Sequence, residues 1–263
     1  MTKFGSRAAI GGIVTGAIHL RAEKKCQDAL FVRKNNPEFA IAAVADGHGS
    51  ASCPFSDEGA EIAVKIAGEM LETMLADLPA HKDIRLPKLI EAKWKETVRE
   101  QHAKAGRDFP EKDEPFPYIL YGTTLLAAAV AKNFVFALQI GDGNILMIDR
   151  DGNARPLLSA EETVGEDTES LCLDNAWVHI RTQIIPHNPD SGTMFLIATD
   201  GYAKSFADSS GFLKAGTDFF NLWREEGLTY INENLSDWLR QSSDKGSGDD
   251  IAMALLVFEG DAK

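Results

Sequence analysis

Asp46-Gly47-His48-Gly49 closes a run of small apolar residues in "FAIAAVADGHGS", Phe39 to Ser50. An Asp-Gly step by itself is an ordinary exit from a buried strand. A strand that ends in a carboxylate, two glycines and a histidine offers more. It holds an anion rigidly, lets the backbone turn sharply, and brings up a group that titrates near neutral pH. Three further acids stand in similar settings: Asp142 in "QIGDGN", Asp200 in "IATDGY" and Asp249 in "GSGDDIAMAL". Each lies beside glycine or a second aspartate. Oxygen-only ligands at strand ends suit magnesium or manganese, which take few carboxylates and keep several waters. Any one of these acids is equally compatible with a plain turn. Together they point to a divalent-metal site with a histidine nearby, and they name no reaction. No Cys-x-x-C pair, glycine-rich phosphate loop with lysine, or Gly-x-Ser-x-Gly elbow offers another chemistry.

The elements that must position these residues follow from the apolar pattern. Ala8 to Leu20 and Phe39 to Ala45 read as strands. Ile62, Ile66, Met70, Met74 and Leu78 recur at fours from Asp57 onward, an amphipathic helix ending before Pro79. A second helix covers Pro87 to His102, followed by the proline-rich loop "GRDFPEKDEPFPY". "TTLLAAAVA" and "FVFALQI" form a hairpin about Lys132-Asn133, and "NILMIDRDGN" gives a strand and an Asp-Gly turn. Ser159 to Asn175 is acidic and irregular. "AWVHIRTQII" and "TMFLIATD" read as strands, Thr217 to Gln241 as a helix, "SSDKGSGDD" as a loop and "IAMALLVF" as a last strand. Strands interleaved with a few helices in this order indicate an α+β fold with antiparallel sheets.

Composition narrows the field. The 263 residues, 44% hydrophobic, support one large core, and a single domain over residues 1–263 is expected. No apolar run reaches the length of a membrane span, and no secretory signal is visible, so a cytoplasmic protein with no membrane partner is expected. The net charge of -13 argues against a nonspecific grip on nucleic acid and is compatible with cations. Cys26, Cys53 and Cys172 are too widely spaced for a zinc knuckle and read as reduced, structural thiols.

The order of "CQDAL", "VADGHGS", "YGTTLLAAAV", "QIGDGNI", "FLIATDGY" and "SGDDIAMALLVF" resembles the PPM (type 2C) family of metal-dependent serine/threonine protein phosphatases, especially its short bacterial branch. The resemblance runs from about Gly16 to Phe258. It implies two packed antiparallel sheets flanked by helices, a four-layer α-β-β-α sandwich. It also implies that Asp46 bridges two Mn2+ or Mg2+ ions, that the Gly47 carbonyl joins one of them, and that Asp200 and Asp249 complete the site. Asp28 would lie in the same cleft and orient water. His48 would protonate the departing serine or threonine alkoxide, a task for which an imidazole of ordinary pKa, about 6.5, is suited. The implied partners are a phosphoprotein substrate and, opposing the enzyme, a serine/threonine kinase. A small-molecule phosphohydrolase of the same fold and a catalytically silent phosphoprotein scaffold are the alternatives.

Two departures from the family pattern bear on the site. The arginine that grips the substrate phosphate in many relatives is replaced by Glu23, so either Arg21 reaches in, with Lys24 or Lys25 as substitutes, or phosphate affinity is low. His19 sits near the same strand end, where it could face the cleft or serve as an ordinary structural histidine. Relatives that bind a third ion use the acid corresponding to Asp142 and a second acid where this chain has Lys204, so a third ion is expected to be weak or absent. Asp250 stands where relatives often carry asparagine.

Overall fold

The computed structural model describes residues 7–33, 38–76, 85–158, 169–186 and 193–258. The first sheet contains β1 (Arg7–Val14), β6 (Asn144–Ile148), β7 (Ala154–Pro156), β9 (Thr193–Ala198) and β10 (Ile251–Phe258), in the order β1-β10-β9-β6-β7. The second contains β2 (Asp28–Arg33), β3 (Ala40–Asp46), β4 (Leu125–Val130), β5 (Phe134–Ile140) and β8 (Arg181–Pro186), in the order β2-β3-β4-β5-β8. All of these pairings are antiparallel.

Side chains alternate between faces along a strand, so each sheet has two faces to bury. In β3, Ala42 and Val44 join Leu126, Phe195, Ala254 and Leu256 in the layer between the sheets. Ile41, Ala43 and Ala45 face the other way, against helices α2 (Ser56–Ala76) and α3 (Leu86–Lys104), where Leu71, Ile90 and Trp94 are fully buried. In β10, Met253, Leu255 and Val257 face Phe219, Trp223 and Leu235 of α5 (Ser209–Lys245). The result is the α-β-β-α sandwich. Burial on both faces also explains why these strands read as unbroken apolar runs. No helix among the described residues is long and apolar enough to cross a membrane, and the three cysteines are free thiols.

Several sequence expectations need correction. The run from Ala8 to Leu20 is two elements: β1 stops at Val14, and Ala17–Arg21 is a short helix, α1. The break is fixed by long-range contacts, because Gly16 N donates to Asp250 Oδ1 at 2.6 Å and Ala17 N to Ser243 Oγ at 3.1 Å. "AWVHIRTQII" begins with a 3-10 turn, Ala176–Val178, and becomes a strand only at Arg181. The last helix starts at Ser209 and runs to Lys245, with a kink at Gly227, whose φ of 81° leaves the helical region. Strand β7 and the one-turn helix α4 (Asp200–Ala203) are additional. The acidic stretch 159–168 and the expected helix end near Pro79 lie outside the described residues.

Candidate functional site: an acidic cleft at the sheet edges

The topology gathers the acids at one end of the sandwich. Asp28, the first residue of β2, is directly opposite Asp46, the last residue of β3. In the first sheet β9 lies between β6 and β10, so Asp142 before β6, Asp200 after β9 and Asp249 before β10 meet at one edge. Asp46, Asp142, Asp200 and Asp249 line a cleft of about 260 Å³, together with Gly47 and His48. His19, Gln27, Lys204 and Asp250 also face it.

Asp46 is held by its backbone. Its N–H donates to Thr124 Oγ1 at 2.9 Å, and its carbonyl accepts from Thr123 Oγ1 and Thr124 N, each at 2.9 Å. Gly47 follows in a space no other residue fits, since a Cβ there would lie 2.6 Å from the Ser56 carbonyl oxygen and 2.8 Å from that of Gln27. His48 N donates to Gly122 O at 3.0 Å, and its ring lies so close to Gly122 that a Cβ on that glycine would stand 2.6 Å from His48 Cδ2. The segment carrying Gly122 is braced from outside. Arg107 stacks on Phe55 at 3.6 Å, bonds Tyr121 Oη at 2.5 Å, and grips Glu58 with both terminal nitrogens.

The electrostatics follow from burial and crowding. Burial, followed by the charges of Asp28, Asp200, Asp249 and Asp142, pushes the Asp46 carboxyl well above the usual carboxylate range. Asp28 is also raised well above it by burial, with Asp250, Asp249 and Asp200 adding to the shift and a hydrogen bond from Thr199 opposing it. Asp142 moves the same way, first through burial and then through Asp200. Burial lowers His48 below its ordinary 6.5, so the ring departs from the unperturbed value expected of it. Burial also works against the charge of Lys204, but its hydrogen bond to Asp200 and the charges of Asp200, Asp142 and Asp249 outweigh it and raise its pKa. Cys26 is pushed up to about 12, chiefly by burial and then by the charges of Asp250 and Asp28, so it is no thiolate nucleophile.

These donors fit a hard divalent cation. Among the described residues, Asp200 Oδ1 and Gln27 Oε1 are buried without a hydrogen-bond partner, a costly state for an acceptor unless something else satisfies it. Among the described residues, no three His, Cys, Asp or Glu side chains close on one point as a preformed cage would. The acids surround a space instead, which matches ions that keep several of their waters.

A family model described as protein phosphatase 2C matches residues 15–240. The chain belongs to the protein phosphatase 2C family. No curated protein sequence matches it significantly. Among solved structures, it is similar to the catalytic domain of the serine threonine protein phosphatase PstP in complex with two manganese ions. That match has 16% identity and a TM-score of 0.61 over 98% of this chain and 100% of that one. It is also similar to the S. agalactiae serine/threonine phosphatase, with 16% identity and a TM-score of 0.58 over 95% and 98% of the two chains. RsbX in complex with magnesium gives 16% identity and a TM-score of 0.52 over 97% and 96%. At these identities the likeness is one of fold.

In this phosphatase 2C chain the residues singled out by sequence separate into groups. Asp46, Gly47, His48, Asp142, Asp200 and Asp249 come together in the cleft. Asp28 lies behind it, 6% exposed, and its Oδ2 accepts from Thr199 Oγ1 at 2.6 Å. Arg21 ends α1 exposed and is not among the residues lining the cleft; Glu23, with φ 54°, turns the chain just beyond it. Thr199, Gln27 and the pairing of His19 with Asp250 are neighbours of the acids that residue type alone did not reveal. Thr199 reads as an ordinary strand-end threonine, and the pairing of His19 with Asp250 spans most of the chain.

Proposed function

We propose that this chain is a divalent-metal-dependent phosphatase that hydrolyses phosphoserine and phosphothreonine in proteins, with a cytoplasmic phosphoprotein as substrate and a serine/threonine kinase opposing it. The observation that carries this reading is the convergence of Asp46, Asp200 and Asp249, drawn from both sheets, on one cleft with His48 at its side. Asp46, Asp200, Asp249 and the Gly47 carbonyl would hold two Mn2+ or Mg2+ ions, and the metal complexes of PstP and RsbX support that choice of cation. When bound, such a pair lowers the pKa of water and neutralises charge on the phosphoryl oxygens. Asp28 orients the attacking water from behind Asp46, and Thr199 fixes which of its oxygens is free to do so. His48 delivers a proton to the departing alkoxide.

Lys204 supports a count of two ions. Its ammonium bonds Asp200 Oδ2 and acts on Asp142, the acid that would share a third ion. A fixed positive charge there disfavours another cation. The family match and the two sheets running from Arg7 to Phe258 support treating the chain as one phosphatase domain.

The test is hydrolysis of a phosphothreonine peptide by wild type and Asp46→Asn, with manganese, with magnesium and after chelation. Loss of activity on chelation, and a fall of about a thousandfold in the variant, is the expected result, since several kcal/mol of charge stabilisation are removed. A wild type that binds manganese yet releases no phosphate from the peptide or from an aryl phosphate would overturn the assignment in favour of a scaffold.

A further inference from the structure

Among the described residues, three side chains lining the cleft can carry positive charge: His19, His48 and Lys204. Lys204 is committed to Asp200, and His48 stands beside Gly122 on the β3 side. His19 is left, and it is held in an unusual way. Its Nδ1 lies 2.9 Å from Asp250 Oδ2, with His19 14% exposed and Asp250 3%. Asp250 also accepts from Gly16 N at 2.6 Å and Gln27 N at 2.7 Å, one on each side of α1. A single buried carboxylate thus fastens both ends of the α1 segment and orients the ring that α1 carries into the cleft.

A histidine kept for packing is closed at both nitrogens. His102 is such a case in this chain: Nδ1 pairs with Tyr121 Oη at 3.1 Å, Nε2 with the Asp108 carbonyl at 2.9 Å, and the residue is 3% exposed. His19 is bonded at Nδ1 alone among the described residues, and it faces the cleft. With Nδ1 committed to Asp250, Nε2 is the nitrogen left for a ligand. The ligand must be one that an otherwise acidic cleft needs help to hold.

We propose that His19 is the phosphate-binding side chain of this cleft, and that Asp250 is its positioning residue. This rests on the phosphoester reading above and assigns to His19 the contact that the sequence offered to Arg21. A ring protonated at both nitrogens donates from each, Nδ1 to Asp250 and Nε2 to a phosphoryl oxygen. Asp250 adds little repulsion towards the incoming anion, because its two oxygens already take three donors from the protein.

The experiment compares wild type, His19→Gln, His19→Arg and Arg21→Ala, all loaded with manganese. It measures KM and kcat on a phosphothreonine peptide, inhibition by inorganic phosphate, and manganese and phosphate binding by calorimetry. Loss of a charge-assisted hydrogen bond should raise KM and the phosphate inhibition constant together by about tenfold or more in His19→Gln, with kcat within about threefold of wild type. Manganese binding should be unchanged, and His19→Arg should restore phosphate affinity. Unchanged phosphate binding in His19→Gln, a larger effect in Arg21→Ala, or loss of manganese along with phosphate would each overturn the inference. His19→Arg also serves if the glutamine variant folds poorly, since a guanidinium that leaves phosphate affinity tenfold or more below wild type would leave no role for a donor at this place. If wild type hydrolyses no phosphoester, the reading of the reaction fails on its own. Calorimetry with inorganic phosphate then still decides the role of His19.

Discussion

Thr199 donates its hydroxyl to Asp28 Oδ2 at 2.6 Å, and Thr199 Oγ1 in turn accepts from Ala252 N at 2.9 Å. Asp28 opens β2 in the second sheet, whereas Thr199 and Ala252 belong to the β9–β10 edge of the first. One buried hydroxyl therefore ties the two sheets together where the acids gather. It also supports the charged form of Asp28 against burial and the neighbouring aspartates.

Thr199→Val keeps the branched shape and removes that hydroxyl. Asp28 Oδ2 and Ala252 N then lose a partner in a place with little access to water, a loss of about 1–3 kcal/mol. Urea unfolding should show a lower midpoint, and half-maximal activity should need more manganese. A variant as stable as wild type, with the same manganese requirement, would show that the clamp is not what holds Asp28.

The leaving group isolates the role of His48. A serine or threonine alkoxide needs a proton to depart, whereas nitrophenolate leaves unaided. His48→Gln should therefore slow hydrolysis of a phosphothreonine peptide about a hundredfold and p-nitrophenyl phosphate by less than about fivefold. Equal losses on the two substrates would instead assign the ring to packing against Gly122.

Much of this arrangement was legible in the sequence, for a physical reason. Strands buried on both faces must be apolar throughout, so "IAMALLVF" and "FAIAAVA" announce themselves, and an acid at the end of such a run has its direction fixed by the strand. Asp46, Asp200 and Asp249 could therefore be picked out by inspection. What depends on contact between distant segments could not. The helix at Ala17 exists because Asp250 and Ser243 take the backbone N–H groups of Gly16 and Ala17. A local propensity argument extends β1 through it, since Ala17, Ile18 and Leu20 suit either state. The same distance hid the partner of His19, and it hid equally that the fold leaves Arg21 exposed at the end of α1.

Lys204→Asp tests the fixed cation. The substitution removes the partner of Asp200 Oδ2 and places a carboxylate within reach of Asp142. Calorimetry should find two manganese ions in wild type and a third, weaker one in the variant. Lys204→Ala, which removes the charge without adding a ligand, should tighten the existing sites by about fivefold, the worth of a half-exposed ion pair near 1 kcal/mol. A third ion bound equally well by wild type would show that the ammonium moves aside and excludes nothing.

The crowding of carboxylates fixes how stability should vary with pH in the metal-free protein. Asp28, Asp46 and Asp142 have raised pKa values in the folded state. Above the unfolded carboxylate value of about 3.9, the native protein keeps protons that the unfolded chain has already released, and stability falls as pH rises towards the raised values. His48 has the opposite sign. Its pKa is lowered on folding, so between its native value and 6.5 the unfolded chain binds the extra proton and stability rises with pH. One histidine stands against three acids, and the acids should dominate. Chelated protein should therefore melt at a higher temperature at pH 5 than at pH 8. Manganese neutralises the same carboxylates and should raise the melting temperature far more at pH 8 than at pH 5, by the equivalent of about 2.7 kcal/mol at a hundredfold excess over its dissociation constant. Asp46→Asn should flatten the pH dependence of the chelated protein and weaken the manganese effect. A chelated wild type whose melting temperature stays level or rises from pH 5 to pH 8 would mean that the acids share their charge with water and are not crowded into a site that needs a cation.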